Sequence, residues 1–317
     1  MHCTKAALKN TRKTDSLAAG KSAEFFFRLA PPAALALLIL LATCAWAGDF
    51  SGASALDATR HVVGFGPRPP GSAAIHKLQS YLVTQLKTHH CQVIEDAFIA
   101  TTPEGPIAMK NIIARFPGHS GRAVAISGHY DTKRFSNFTF VGANDGGSSA
   151  GILLELARAL DGESRIDDVY LVWFDGEEAF RDWSDTDSLY GSRHLAEKWS
   201  KDGTLARVKA LINIDMTGDS DLGIMPEMNS SAALRKLVWQ AAEEKGYGKY
   251  FLDEGGGTED DHMPFIRAGA NAVDLIDFNY GPGNSYWHTA KDTINKLSAH
   301  SMQVVGSVVL EVLHRLE

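Results

Sequence analysis

The chain has 317 residues, 44% hydrophobic and 22% charged, with a formal net charge of −7, which is enough for one large core or two small ones. The first 47 residues hold six basic and two acidic residues, so the remainder carries 25 basic against 36 acidic, a net of −11. That acidic body excludes nucleic acid as a partner, because neutralising phosphates takes clustered Lys and Arg.

The amino terminus reads as a targeting segment. Lys5, Lys9, Arg12, Lys13, Lys21 and Arg28 precede an apolar run from Ala33 to Trp46, and Ala45-Trp46-Ala47 has the small-x-small form of a cleavage site. Residues 1–47 are therefore expected to be a signal peptide, with an uncleaved N-terminal anchor as the alternative and a lipoprotein site at Cys44 ranked below both. The run is short for a spanning helix, which needs about 20 apolar residues. All three readings place residues 48–317, the main domain, outside the cytoplasm, periplasmic or secreted, with the membrane involved only through an uncleaved segment. Cys3 and Cys44 lie in that leader, so the mature chain keeps only Cys91 and forms no internal disulfide. Asn137-Phe138-Thr139 and Asn229-Ser230-Ser231 match glycosylation acceptors, a pattern that is common by chance.

From residue 48 apolar runs and helical patterns alternate. Leu56 to Val63 suggests a short helix, broken by the Gly/Pro-rich stretch from Gly64 to Gly71. Ala73 to Lys87 places Ile75, Leu78, Leu82 and Leu86 at helical spacing. Asn111 to Phe116 and Ala123 to Ser127 read as strands joined by the turn Pro117-Gly118-His119-Ser120-Gly121. Ser149 to Leu160 is a strong helix with Leu153, Leu154, Ala157 and Leu160 as its inward stripe. Val169 to Phe174 is an unbroken apolar run of the kind that forms a fully buried strand. A helix at Leu189 to Trp199, a strand at Ala210 to Ile214, a helix at Ala232 to Lys245, a strand at Ala272 to Ile276 and a helix from Ser301 to Leu316 complete the chain. Strand and helix in alternation, with no linker, predict one α/β domain with a mostly parallel central sheet and helices on both faces.

In such sheets ligands collect beyond the carboxyl ends of the strands. The central strand ends in Asp175-Gly176-Glu177-Glu178, three carboxylates in four residues. Burying them unpaired costs several kcal/mol each, so either a divalent cation neutralises them or the turn is a solvated acidic loop. The other strand ends supply His129 and Asp215, the glycine-rich turn Gly142 to Gly147 supplies Asp145, and the loop after the Ala272 strand reaches Trp287-His288. Taken singly, each has a plain explanation, a surface histidine or a helix cap. Five loops converging on one rim supply nitrogen and oxygen ligands suited to zinc, with a further glutamate beside one of them.

The runs HYDTK, GANDGG, FDGEEAF, DSLYGSRHLA, EDDHMPF and YWHT, spread over about residues 55 to 316, resemble the zinc-dependent glutaminyl-peptide cyclotransferases, a branch of the M28 aminopeptidase superfamily. FDGEEAF with Trp183 and DSLYGSRHLA is the most specific part. The resemblance implies that Asp145, Glu178 and His288 hold one zinc per chain, that Glu177 is the proton shuttle, and that Asp215 and Asp260 bind substrate and share its proton network. Trp183 and Trp287 then wall the pocket, and His262 braces the loop from inside. The implied activity is the closing of N-terminal glutamine of peptides or proteins to pyroglutamate with release of ammonia, by a monomer.

The alternative uses the same residues as a two-zinc aminopeptidase, with His129 and Asp215 on a second metal and Asp145 bridging. Asn144-Asp145-Gly146-Gly147 is closer to the peptidase form of that turn. Asp274 stands where many animal cyclases have a histidine, which puts the tuning of Asp260 in question. A binding module without catalysis ranks last, since no ligand and no glutamate base is missing.

Overall fold

The computed structural model describes residues 48–317, and the leader expected for residues 1–47 lies outside the described residues. A seven-stranded sheet has the order β1-β2-β4-β3-β5-β7-β6. Its strands are β1 (Gln92–Thr102), β2 (Gly105–Phe116), β3 (Ala123–His129), β4 (Asp168–Phe174), β5 (Val208–Asp215), β6 (Met225–Pro226) and β7 (Ala272–Ile276). The four central strands β4, β3, β5 and β7 run parallel, while β1, β2 and β6 pair antiparallel at the two sides. The expected α/β domain with a mostly parallel centre is what the chain forms.

Helices cover both faces because the central strands are apolar on both. In β4, Val169, Leu171 and Trp173 enter the larger core and Tyr170, Val172 and Phe174 the smaller one, the period-two alternation of a pleated strand. The larger core is roofed by α1 (Gly52–Val63), α2 (Ala73–Leu86), α3 (Gly147–Ala159), α5 (Ala232–Glu244) and α7 (Ala299–Leu316), the smaller by α4 (Tyr190–Asp202) and α6 (His262–Arg267). Two of these helices begin before the apolar pattern does, because side-chain caps set their first turns. Ser51 accepts from the Ser54 N–H at 3.2 Å, and Ser298 accepts from His300 at 3.1 Å and Ser301 at 3.4 Å.

Four elements differ from the sequence expectation. Strands β1 and β6 and helix α6 have no counterpart in it, and β2 begins six residues before Asn111. Of the eleven residues of β1 only Asp96, Ala100 and Thr102 are buried. An edge strand that covers little core carries little apolar signal, and its pairing to β2 supplies what its composition lacks. Strands β2 and β3, joined by residues 117–122, are not neighbours, since β4 lies between them.

Cys91 is a free thiol, half-buried, with Sγ 3.4 Å from the Leu86 carbonyl. Its sequence neighbours His89 and His90 turn instead to Asp161, at 3.2 and 2.9 Å. Among the described residues no helix is long and apolar enough to cross a membrane.

Candidate metal centre

Because β3, β4, β5 and β7 are parallel, their carboxyl ends open on one rim. Strand β3 ends at His129 and β5 at Asp215, while β4 leads into the Asp175–Glu178 turn. Gly176, at φ 72°, bends that turn so that its carboxylates separate. Asp175 faces the interior behind the sheet, where its Oδ2 accepts the Lys110 N–H at 2.9 Å and Gln79 Nε2 at 3.1 Å. Burial, with the nearby charge of Asp131, holds its carboxyl well above the usual range. Glu177 and Glu178 face the rim. Their two backbone N–H groups donate to one carboxylate, Asp131, at 3.1 and 3.4 Å.

Asp145 precedes the Gly146-Gly147 start of α3. Gly146 has φ 73°, and a Cβ there would lie 2.5 Å from the Asp131 carbonyl oxygen, so only glycine fits. From the far side Asp292 accepts the N–H of Asn144 at 2.8 Å and of Asp145 at 3.2 Å, and is itself bound by the Tyr280 hydroxyl at 2.7 Å. The fully buried Arg68 ties down the preceding segment through the carbonyls of Tyr130 (2.7 Å), Val141 (2.5 Å) and Gly142 (2.8 Å). His288 itself is held at φ 53°, a left-handed conformation that costs a non-glycine residue roughly 1–3 kcal/mol.

These supports bring Asp145, Glu178 and His288 together. His288 Nε2 stands 3.0 Å from Glu178 Oε1 and 3.2 Å from Asp145 Oδ2, and Asp145 Oδ2 has no hydrogen-bond partner. Tetrahedral ligands around 2.0–2.2 Å from a zinc ion lie about 3.3–3.6 Å apart. One nitrogen and two carboxylate oxygens at this spacing, one of them an orphan, fit that ion. The electrostatics point the same way. Burial alone would lower the His288 pKa, but Glu178 and Asp145 draw positive charge to it so strongly that it rises to about 10. Burial pushes Asp145 up, while the positive charge drawn to the His129 and His288 rings beside it holds it below the carboxylate range.

Beside this set stands a second, His129, Asp145 and Asp215. His129 Nε2 is 3.2 Å from both carboxylates, and its Nδ1 is 3.4 Å from Asp131. Burial raises the Asp215 carboxyl to about 7 against the opposing pull of His129.

The first set borders a cavity of about 430 Å³ that also touches Glu177, Asp215, Asp260, Trp183 and Trp287. His129 does not border it. Glu177 belongs to neither ligand set. Burial above all keeps its carboxyl well above the usual range, with Glu178, Asp260 and Asp261 adding to the effect and His129 opposing it. Trp287 stacks on the His288 ring at 4.1 Å and contacts Phe278 at 4.9 Å, and Trp183 stands 40% exposed at the mouth. The segment bearing Trp183 closes on the glutamate turn through Leu189 N–H to Glu177 carbonyl and Tyr190 N–H to Gly176 carbonyl, both 2.8 Å.

His129, Asp145, Glu177, Glu178, Trp183, Asp215, Asp260, Trp287 and His288 thus reach this rim, whereas Asp175 turns away from it and His262 and Asp274 lie behind it, with His262 Nε2 3.1 Å from Glu227. Sequence reasoning missed Asp131, Asp292, Arg68 and Glu227. Their partners are largely backbone groups, and no residue spacing announces those.

The profile of peptidase family M28 matches residues 111–313. A glutaminyl-peptide cyclotransferase of Bos taurus is 31% identical over 289 residues, covering 78% of this chain and 79% of that protein. The crystal structure of an Acidobacteriales bacterium glutaminyl cyclase superposes with a TM-score of 0.82 at 38% identity, covering 86% of this chain and 97% of the other. A Zn-dependent exopeptidase from Parabacteroides distasonis has a TM-score of 0.76 at 29% identity, covering 84% and 99%.

Proposed function

The chain belongs to peptidase family M28, and within it we propose that this enzyme is a glutaminyl-peptide cyclotransferase that closes the N-terminal glutamine of peptides to pyroglutamate and releases ammonia. The observation that carries the reading is the tryptophan-walled cavity set directly over Asp145, Glu178 and His288, with Glu177 beside them and outside both ligand sets. Relatives and structural neighbours that carry the cyclase name support it.

Asp145, Glu178 and His288 hold one zinc ion in this reading. The ion supplies positive charge that stabilises the negative charge developing on the side-chain amide oxygen. One ion rather than two is supported by the cavity, which all three of these residues border and His129 does not.

The reaction needs a proton moved between two nitrogens of one residue. As the neutral α-amino nitrogen bonds to its own side-chain amide carbon, Glu177 accepts a proton from it. The same carboxyl then protonates the amide nitrogen, which departs as ammonia when its bond to carbon breaks. Proton count and charge balance, and no covalent enzyme intermediate forms. A shuttle of this kind is worth about a hundredfold to ten-thousandfold. Asp215 and Asp260 hold the amino group, and the cavity holds the curled conformer in which nucleophile and electrophile already touch. Trp183 and Trp287 keep out water, whose attack would hydrolyse the amide instead. The basic, apolar leader supports a location outside the cytoplasm.

A paired assay tests the function. Purified protein should release ammonia from Gln-initiated peptides and free no leucine from a leucine anilide. The reverse result would replace the cyclase by the two-zinc aminopeptidase.

A further inference from the structure

Behind the cavity wall lies a group of side chains that the reaction above does not use. Glu227, just past β6, is completely buried. Its oxygens accept the N–H groups of Asn229 at 2.9 Å, Thr258 at 3.0 Å and Ser230 at 2.6 Å, and the Ser230 hydroxyl at 2.6 Å. His262, the first residue of α6, is also completely buried and places Nε2 3.1 Å from Glu227 Oε2. So many donors keep Glu227 ionised, and it therefore accepts a hydrogen bond from the Nε2–H of His262.

The other ring nitrogen has no hydrogen-bond partner. It points at Asp274 on β7, with Oδ2 at 3.8 Å, and a ring nitrogen of His262, an Asp274 oxygen and an Asp260 oxygen all lie within 4.8 Å of one another. Asp260 Oδ2 is likewise buried without a partner. Asp274 is pinned through Oδ1 by Asn213 Nδ2 at 3.1 Å and through Oδ2 by the Thr258 hydroxyl at 3.3 Å, so it cannot turn away from Asp260. Asp260 thus joins two worlds: it borders the cavity with Glu177 and Asp215, and from behind it meets Asp274 and His262. Two carboxylates at that separation in a dry interior repel, and burial with the charges of Asp260 and Asp215 pushes the Asp274 carboxyl well above its usual range, so a positive group beside it is what would let it stay ionised.

We propose that His262, clamped by Glu227, is a positioning residue that offsets Asp274 and so fixes the Asp260 carboxylate at the back of the reaction cavity. This rests on the cyclase reading. In place of a loop brace, His262 is the inner end of a chain, Glu227 to His262 to Asp260, that ends at the substrate amine.

The test compares zinc-loaded wild type, His262→Gln and the double variant His262→Gln/Asp274→Asn, with kcat and KM for ammonia release from a Gln-initiated peptide measured separately. His262→Gln should lower kcat about tenfold or more, leaving KM within about twofold and bound zinc unchanged. Removing the charge of Asp274 as well should restore kcat at least about threefold, since the repulsion on Asp260 goes with it. A brace would show a lower melting temperature with kcat intact, or equal kcat in single and double variants, and either result overturns the proposal. So does the loss from His262→Gln of a metal ion that wild type binds, which would make the imidazole a ligand. Should the variants not fold, the imidazole nitrogens of wild type and Asp260→Asn are compared by 15N NMR. The Nδ1 signal of His262 should move and the Nε2 signal stay, and an unmoved Nδ1 overturns the proposal. A wild type that releases no ammonia would sink the cyclase reading instead, and the NMR comparison would still report on the pairing.

Discussion

His288 Nε2 stands 3.0 Å from Glu178 Oε1 although 110 residues separate them in the chain. Neither residue is held there by its partner alone. Glu178 is set by the carboxyl end of β4 and by Asp131 beneath its N–H, and His288 by a left-handed backbone with Trp287 stacked on its ring. The pair is preorganised for a cation that both can share with Asp145.

Replacing His288 by Ala should therefore remove bound zinc, from about one ion per chain to about none, with ammonia release falling to background. Elemental analysis of purified variant and wild type checks this. A chelator should do the same to wild type, reversibly on adding zinc. Two ions in wild type would favour the aminopeptidase arrangement through His129 and Asp215.

Glu177→Gln should lower kcat by roughly a hundredfold to ten-thousandfold while zinc content stays at the wild-type value. The side chain touches the cavity and neither ligand set. Lost zinc would mean that the base and ligand roles of the two adjacent glutamates are exchanged.

Gly146→Ala and Gly162→Ala separate backbone strain from crowding. Both glycines have positive φ, 73° and 74°, but a Cβ at Gly146 meets the Asp131 carbonyl at 2.5 Å and one at Gly162 meets nothing within 4 Å. Gly162→Ala should cost about 1–2 kcal/mol of stability by urea unfolding and leave zinc affinity alone. Gly146→Ala should cost more and weaken zinc binding, because it displaces the turn that carries Asp145.

Trp287→Ala should raise KM and lower kcat together, since it removes both a cavity wall and the support of the His288 ring. Trp183→Ala, at the exposed mouth, should act mainly on KM. Steady-state kinetics on one Gln-initiated peptide distinguishes the two. Equal effects on both parameters at both positions would deny Trp183 its place at the mouth.

Glu227 predicts a pH dependence. Burial works against its ionised form, but hydrogen bonds from His262, Ser230, Asn229 and Thr258 bring its pKa down to about 2, below its unfolded value of about 4.3. A depressed carboxyl stabilises the fold fully above the unfolded pKa and loses that contribution as pH falls through the folded one. The stability gap between wild type and Glu227→Gln, both zinc-free, should be largest above pH 5 and shrink by an amount on the order of 3 kcal/mol towards pH 2. Urea unfolding across that range measures it, and a gap independent of pH would refute it.

The buried strand β4, the glutamate pair after it and the glycine turn before α3 were all legible in the sequence. A strand covered on both faces must be apolar throughout, and carboxylates at its end need a partner. Edge strand β1 was not, because exposure leaves it free of any such demand. Asp131, Asp292 and Arg68 were equally silent, since each acts on backbone N–H or carbonyl groups, which every residue possesses.

The sequence by itself determined which residues are candidates for the chemistry, because metal-binding, acid–base and aromatic side chains stand in a recognisable order along the chain. Only the tertiary structure decided that all of Asp145, Glu178 and His288 border the cavity while His129 does not, that Asp175 faces away from it, and that His262 lies against Asp274 and near Asp260. Those are matters of direction. Direction follows from the handedness of a turn at Gly176 and from the packing of α6 against the sheet, and the order of residues along a chain contains neither until the chain has folded.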